Sequence, residues 1–225
     1  MLRELIQGMT GLVADKRCRT KNTVTCKTHW PRVRRMPPSK FVHVMDSRAV
    51  LLFRNPLQAL PSYLNFLWEV KNNVTGHSVQ APEKAWIEWR DKNFDREIVA
   101  WERFFTKWRN QVPYDLVDYL PYEHLVYPVH GPRLAVRLAR WLQEAHHQTA
   151  PLNDVPCLWF QIVKQKRGKK RSQHTYVPKF TSKQLRRMMQ ILDELIGEIG
   201  TNDDLQLMTV LQTYREKVRK QLSPE

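Results

Sequence analysis

Two short apolar runs in this chain each stop abruptly at side chains that handle anions or protons. Thr23-Val24-Thr25-Cys26 runs into Lys27-Thr28-His29-Trp30-Pro31. Ala49-Val50-Leu51-Leu52-Phe53 runs into Arg54-Asn55-Pro56, with Ser62 and Tyr63 one helical stretch further on. An imidazole takes up or gives up a proton near neutrality. A lysine two positions earlier on an extended strand points to the same side. A guanidinium offers a planar fork of donors that fits a phosphate or sulfate. Together these groups suit the movement of an anionic group.

The elements that must position them follow from the same residues. β-branched and apolar runs of this length, bounded by turn residues, are predicted to be buried strands. Asn55 is a suitable helix cap and Pro56 suits a first helical turn, so a helix is expected from Pro56 to about Val70, interrupted and kinked at Pro61. In open α/β sheets, ligands bind beyond the carboxyl ends of the strands. Lys27, His29 and Arg54 are therefore expected to share one crevice. A third strand is predicted at Leu116-Val117-Asp118-Tyr119-Leu120, followed by Pro121-Tyr122-Glu123-His124-Leu125.

Helical spacing predicts further helices over 2–12, 83–110 (one or two), 131–145 and 182–199. Gly11 and Gly200 are expected to end the first and last of these, and Thr181 or Ser182 to cap the last. Trp101, Phe105 and Trp108 fall on one helical face, read as packing in preference to sugar-binding platforms. Val155–Val163 reads as an extended segment leading into the basic run Lys164-Gln165-Lys166-Arg167-Gly168-Lys169-Lys170-Arg171. Residues 201–225 read as a charged helical tail.

The ordered set Lys-Thr-His-x-Pro, then Arg-Asn-Pro with Ser-Tyr beyond it, then Tyr-Glu-His-Leu resembles the sulfotransferases that use 3′-phosphoadenosine-5′-phosphosulfate (PAPS). The resemblance covers about Leu2 to Gly200. It implies a three-layer α/β fold of the P-loop NTPase-like type, with a mainly parallel sheet flanked by helices. It divides the chain into a sulfotransferase-like domain over 1–200 and a tail over 201–225. The basic loop is nearer that of the carbohydrate-type, membrane-associated members than that of the cytosolic ones. The family's phosphate-binding loop, similar to Pro-Lys-Ser/Gly-x-Ser/Thr-Trp, would stand just before the first helix, where this sequence starts at Met1. The expectation is an N-terminally incomplete domain lacking its first strand and phosphate loop, either truncated or inactive.

Carried over residue by residue, the resemblance makes His29 the catalytic base and Lys27 the group that steadies the sulfuryl or bridging oxygen. Arg54 and Ser62 would hold the 3′-phosphate and Tyr122 would lie near the adenine. Gly168, Lys170 and Arg171 would close over the nucleotide. The co-substrate would be PAPS, the acceptor a hydroxyl or amine, glycans included, and no metal is required. The loop over 71–82 would border the acceptor.

Composition sets the outer bounds. The chain has 225 residues, 42% of them hydrophobic, enough for a cored α/β domain. No apolar run reaches the roughly 18 residues of a membrane span. Three cysteines make no disulfide framework. A net charge of +15 points to an anionic partner. The alternative reading is therefore a non-catalytic relative that binds polyanions such as sulfated glycans. Nucleic acid is not the expected partner, because no motif for it is present. Localisation between Golgi and cytoplasm is open, since the deciding N-terminal residues are not in the sequence.

Overall fold

The computed structural model describes residues 1–15, 23–26, 49–74, 79–112, 116–144, 147–165, 175–199 and 205–222. They belong to two compact units, Met1–Phe53 with Asp115–Lys170, and Arg54–Tyr114 with Arg171–Glu225.

In the first unit, helix α1 (Leu2–Thr10) buries Leu5, Ile6 and Met9 along one stripe. Gly11 ends it at φ 68°, its amide donating to the Gln7 carbonyl over 2.8 Å. Only glycine takes that left-handed turn without strain, so the predicted stop has its physical cause. Strands β1 (Val13–Asp15) and β2 (Thr23–Cys26) pair in parallel. Strands β3 (Ala49–Phe53) and β4 (Val117–Pro121) do likewise, in an unbroken register from Ala49↔Val117 to Phe53↔Pro121. Parallel neighbours need a long crossover, and here the connection is the whole stretch from Arg54 to Leu116. Parallel strand pairs with helices make the fold α/β, with helix predominating. Among the described residues the strands form two separate pairs.

Three elements complete this unit: α4 (Tyr122–Val126), α5 (Gly131–Glu144) and α6 (Val155–Trp159), which runs on into a π-helical turn at Phe160–Gln165. The stretch 155–163, expected to be extended, is therefore helical. Pro156 sits in the first turn of α6, where its missing N–H costs nothing. Val155, Trp159 and Val163, four residues apart, are buried on one side. They join Leu5, Met9, Leu120, Leu125, Leu134 and Leu138 in one core. The Trp159 indole donates to the Leu125 carbonyl over 2.7 Å inside it.

In the second unit, α2 (Pro56–Lys71) packs on α3 (Glu83–Gln111), and α3 packs on α7 (Ser182–Ile199). Helix α2 continues through Pro61. The predicted helical region 83–110 is one helix of 29 residues. Its Trp86, Phe94, Phe105 and Trp108 are buried, with Phe180 edge-on to Trp86 and Phe94. Thr181 and Gln184 form a reciprocal capping box on α7: each side chain accepts the other's backbone amide. Helix α8 (Leu205–Leu222) packs along α7 through Leu207, Val210, Leu211, Tyr214 and Val218, and Arg215 pairs with Asp193.

Candidate functional site

Arg54 is the first residue past β3, and its surroundings are built by α2 and α3. The Asn55 side chain, almost wholly buried, accepts the Leu57 amide at 2.9 Å, while the Asn55 carbonyl accepts the amides of Gln58 and Ala59 at 2.9 and 2.8 Å. Pro56 has no amide to give. The first amides of α2 are thus all taken by the cap, and an anion docking here would meet side chains in place of helix-terminal N–H groups.

Those side chains fall in line. The Arg54 guanidinium donates to the Gln58 Oε1 at 3.4 Å. Ser62 lies one turn beyond Gln58, the same i, i+4 step, and both are exposed. Gln58 and Ser62 therefore share one open face of α2, and Arg54, two residues before the helix starts, reaches Gln58 to extend this ridge. Its arginine end is fixed from behind, where the Trp101 indole on α3 donates to the Arg54 carbonyl at 2.9 Å. Sequence reasoning had placed Trp101 only among packing residues and had not singled out Gln58. The i, i+4 spacing was available to reveal Gln58, but no local pattern reveals a contact between Arg54 and a residue 47 positions away.

The segment after α2 is pinned to the same helix. Glu69, buried, accepts the Val79 amide at 2.9 Å, and Asn65 accepts the Ala81 amide at 3.0 Å. Gln80 then ties in the segment before α7, donating to the Tyr176 carbonyl at 2.9 Å and accepting the Thr175 amide at 2.8 Å. Burial and the nearby Glu83 carboxylate push the Tyr176 phenol up from its ordinary value, so it stays a neutral donor and acceptor. The loop over 71–82, expected to border an acceptor, is therefore held at 79–81 by α2 and by the segment at 175–176.

Tyr122, half-buried, opens α4 immediately past β4 in the first unit. The remaining predicted site residues, Lys27, His29, Gly168, Lys170 and Arg171, lie outside the described residues. Of the predicted set, the structure describes Arg54 and Ser62 in the second unit and Tyr122 in the first. No group of three or more His, Cys, Asp or Glu side chains among the described residues is placed to hold a metal ion. No helix among them is long and apolar enough to cross a membrane.

Comparison with known proteins finds no matching family model, no similar curated protein and no similar solved structure.

Proposed function

We propose that this chain is a sulfotransferase-type domain that holds a 3′-phosphorylated adenine nucleotide and transfers a sulfuryl group from PAPS to a hydroxyl or amine acceptor. The observation that carries the reading is the Arg54–Gln58–Ser62 ridge directly past a parallel strand, with the helix-terminal amides already committed to Asn55. A guanidinium and a hydroxyl on one face suit a phosphate monoester, the guanidinium supplying charge and fork geometry. The order of the three motifs along the sequence supports the same reading. The finer P-loop NTPase-like fold belongs to this proposal.

The chemistry is an in-line displacement resembling phosphoryl transfer. His29 takes the proton of the acceptor hydroxyl as its oxygen forms a bond to sulfur. The bond from sulfur to the 5′-phosphate oxygen breaks, and 3′-phosphoadenosine-5′-phosphate leaves with the electron pair. Lys27 steadies the negative charge that builds on the bridging oxygen. Arg54 and Ser62 hold the 3′-phosphate, Tyr122 packs near the adenine, and Gly168, Lys170 and Arg171 close the nucleotide side. Glycans are among the acceptors that the basic charge favours.

Titration of the chain with 3′-phosphoadenosine-5′-phosphate tests the reading. Arg54→Gln is expected to weaken binding by about tenfold or more, the loss of one charge-assisted pair. In a form that carries the phosphate loop, His29→Ala is expected to bind the nucleotide as before and to lose sulfuryl transfer. Unchanged nucleotide affinity in Arg54→Gln, or full transfer by His29→Ala, would overturn the assignment.

A further inference from the structure

The first unit carries a second concentration of positive charge that the proposed nucleotide grip does not use. Arg133, Arg137 and Arg140 lie at i, i+4 and i+7 on α5, one face of one helix. They line a cleft of about 320 Å³ together with Pro132, Val136 and Pro156. Like charges at this spacing repel and cost helix stability. Arg133 and Arg140 are exposed and have no carboxylate partner among the described residues. Arg137 is different. It is one-third exposed, pairs with Asp118 on β4 at 2.8 Å and donates to the Tyr119 carbonyl at 3.0 Å. One arginine is thus oriented by the strand beneath it, and two stand on either side with their charge uncompensated.

The cleft's walls say more about the ligand. The guanidinium groups give the cleft a positive lining matched to a tetrahedral oxyanion. Pro132, Val136 and Pro156 give an apolar wall that bare inorganic ions do not need. The volume is at the small end of ligand pockets, close to one sugar ring with its substituent. We infer that this cleft binds a sulfate or phosphate ester carried on a compact, sugar-sized body. The inference stands apart from the reading of Arg54 and does not need it.

Calorimetric titration of the full chain with inorganic sulfate, inorganic phosphate, glucose 6-sulfate and glucose 6-phosphate tests the site and separates the two sources of the anion. Glucose 6-phosphate is expected to bind about fivefold or more tighter than inorganic phosphate, through the apolar wall; glucose 6-sulfate, with one charge fewer than inorganic sulfate, is expected to bind at least as tightly as that ion. Arg133→Gln/Arg140→Gln is expected to lose about tenfold or more of that affinity. Both positions are exposed, so the fold survives the change. Lys84→Gln/Lys217→Gln removes the same net charge from exposed positions in the other unit and is expected to bind as the wild type does. A preference between the sulfate and the phosphate ester identifies the natural source. The inference is overturned if the wild type binds neither ester, if glucose 6-phosphate and inorganic phosphate bind equally, or if the two double variants behave alike.

Discussion

Two helical glycines should respond to alanine with opposite signs. Gly131 opens α5 against Trp159, which is 2% exposed. A Cβ on Gly131 would fall 2.3 Å from Trp159 Cζ2 and 2.5 Å from the Leu125 carbonyl oxygen. Ordinary contact begins at 3.4 Å, so the ring must retreat by about 1 Å in a close-packed core. That retreat strains the 2.7 Å hydrogen bond from the indole to the same Leu125 carbonyl. Overpacking costs about 1–3 kcal/mol, and a buried carbonyl stripped of its donor costs a further ~1–3 kcal/mol. Alanine's better helix propensity returns at most about 1 kcal/mol, and less at a first helical position. Gly131→Ala is therefore expected to destabilise by roughly 2–4 kcal/mol. Gly197, exposed on α7 with nothing within 4 Å of its would-be Cβ, should instead gain about 0.5–1 kcal/mol as alanine. Urea denaturation followed by far-ultraviolet circular dichroism measures both. The mechanism has a further signature: in a Trp159→Leu background the cost of Gly131→Ala shrinks, because the ring is gone. It does not vanish, because the carbonyl oxygen remains. If Gly131→Ala matched the wild type within about 0.5 kcal/mol, the close approach of α5 to α6 would be refuted.

Three more outcomes follow from named contacts. Asn55→Ala strips the Leu57 amide of its acceptor at the start of α2 and should cost about 1–2 kcal/mol by urea denaturation, with no change marking the cap as idle. Trp101→Phe removes the donor to the Arg54 carbonyl. It should cost about 1 kcal/mol of stability and, under the proposed function, weaken 3′-phosphoadenosine-5′-phosphate binding, so unaltered affinity would free Arg54 from this support. Glu102 has its pKa raised above the ordinary 4.5, first by burial and then by Glu194 and Glu198, with Arg187 and Arg103 opposing. The folded protein then holds this proton more tightly than the unfolded one, so stability falls as pH rises from 4.5 through the folded pKa. Glu102→Gln should be more stable than the wild type at neutral pH and lose that advantage below 4.5; an advantage that persisted in acid would point to a different cause.

What could be read from the sequence divides along a physical line. Features set by neighbours in the chain were legible. Gly11 ends α1 because a left-handed residue was needed there, Asn55-Pro56 starts α2, and Thr181, one of the two caps offered for α7, starts that helix, with Gln184 as a partner the sequence reading did not name. The strand at 49–53 and, one residue out of place, the strand at 117–121 follow from short apolar runs; their parallel pairing is an implication of the family resemblance and not of either run. The run at 155–163 was misread because a short apolar segment does not by itself separate strand from helix. Val155, Trp159 and Val163 repeat at four, a helical spacing, and Pro156 belongs in a first turn. The division of the described residues into two units was not legible at all. It depends on which helices find one another, as α8 finds α7 through Leu211, Tyr214 and Val218.

The arginine stripe on α5 is plainly visible in the sequence, and the inference drawn from it needs the helix's two sides to be read separately. Read for its apolar side, residues 131–145 give Leu134, Leu138 and Leu142, and the helix is explained. The opposite side then passes as a solvated face. Solvation, however, favours mixed signs, since like charges at i, i+4 and i+7 repel while alternating ones attract. A helix built only for solubility has no reason to gather Arg133, Arg137 and Arg140 on one line, or to anchor the middle one to Asp118. The cost to helix stability is small, a few tenths of a kcal/mol per pair, but its direction is wrong for a structural role. The same test applied to α2 gives the weaker result that Arg54, Gln58 and Ser62 carry a single charge and repel nothing. On stability grounds alone, then, the cleft on α5 is better marked as an anion site than the ridge on α2.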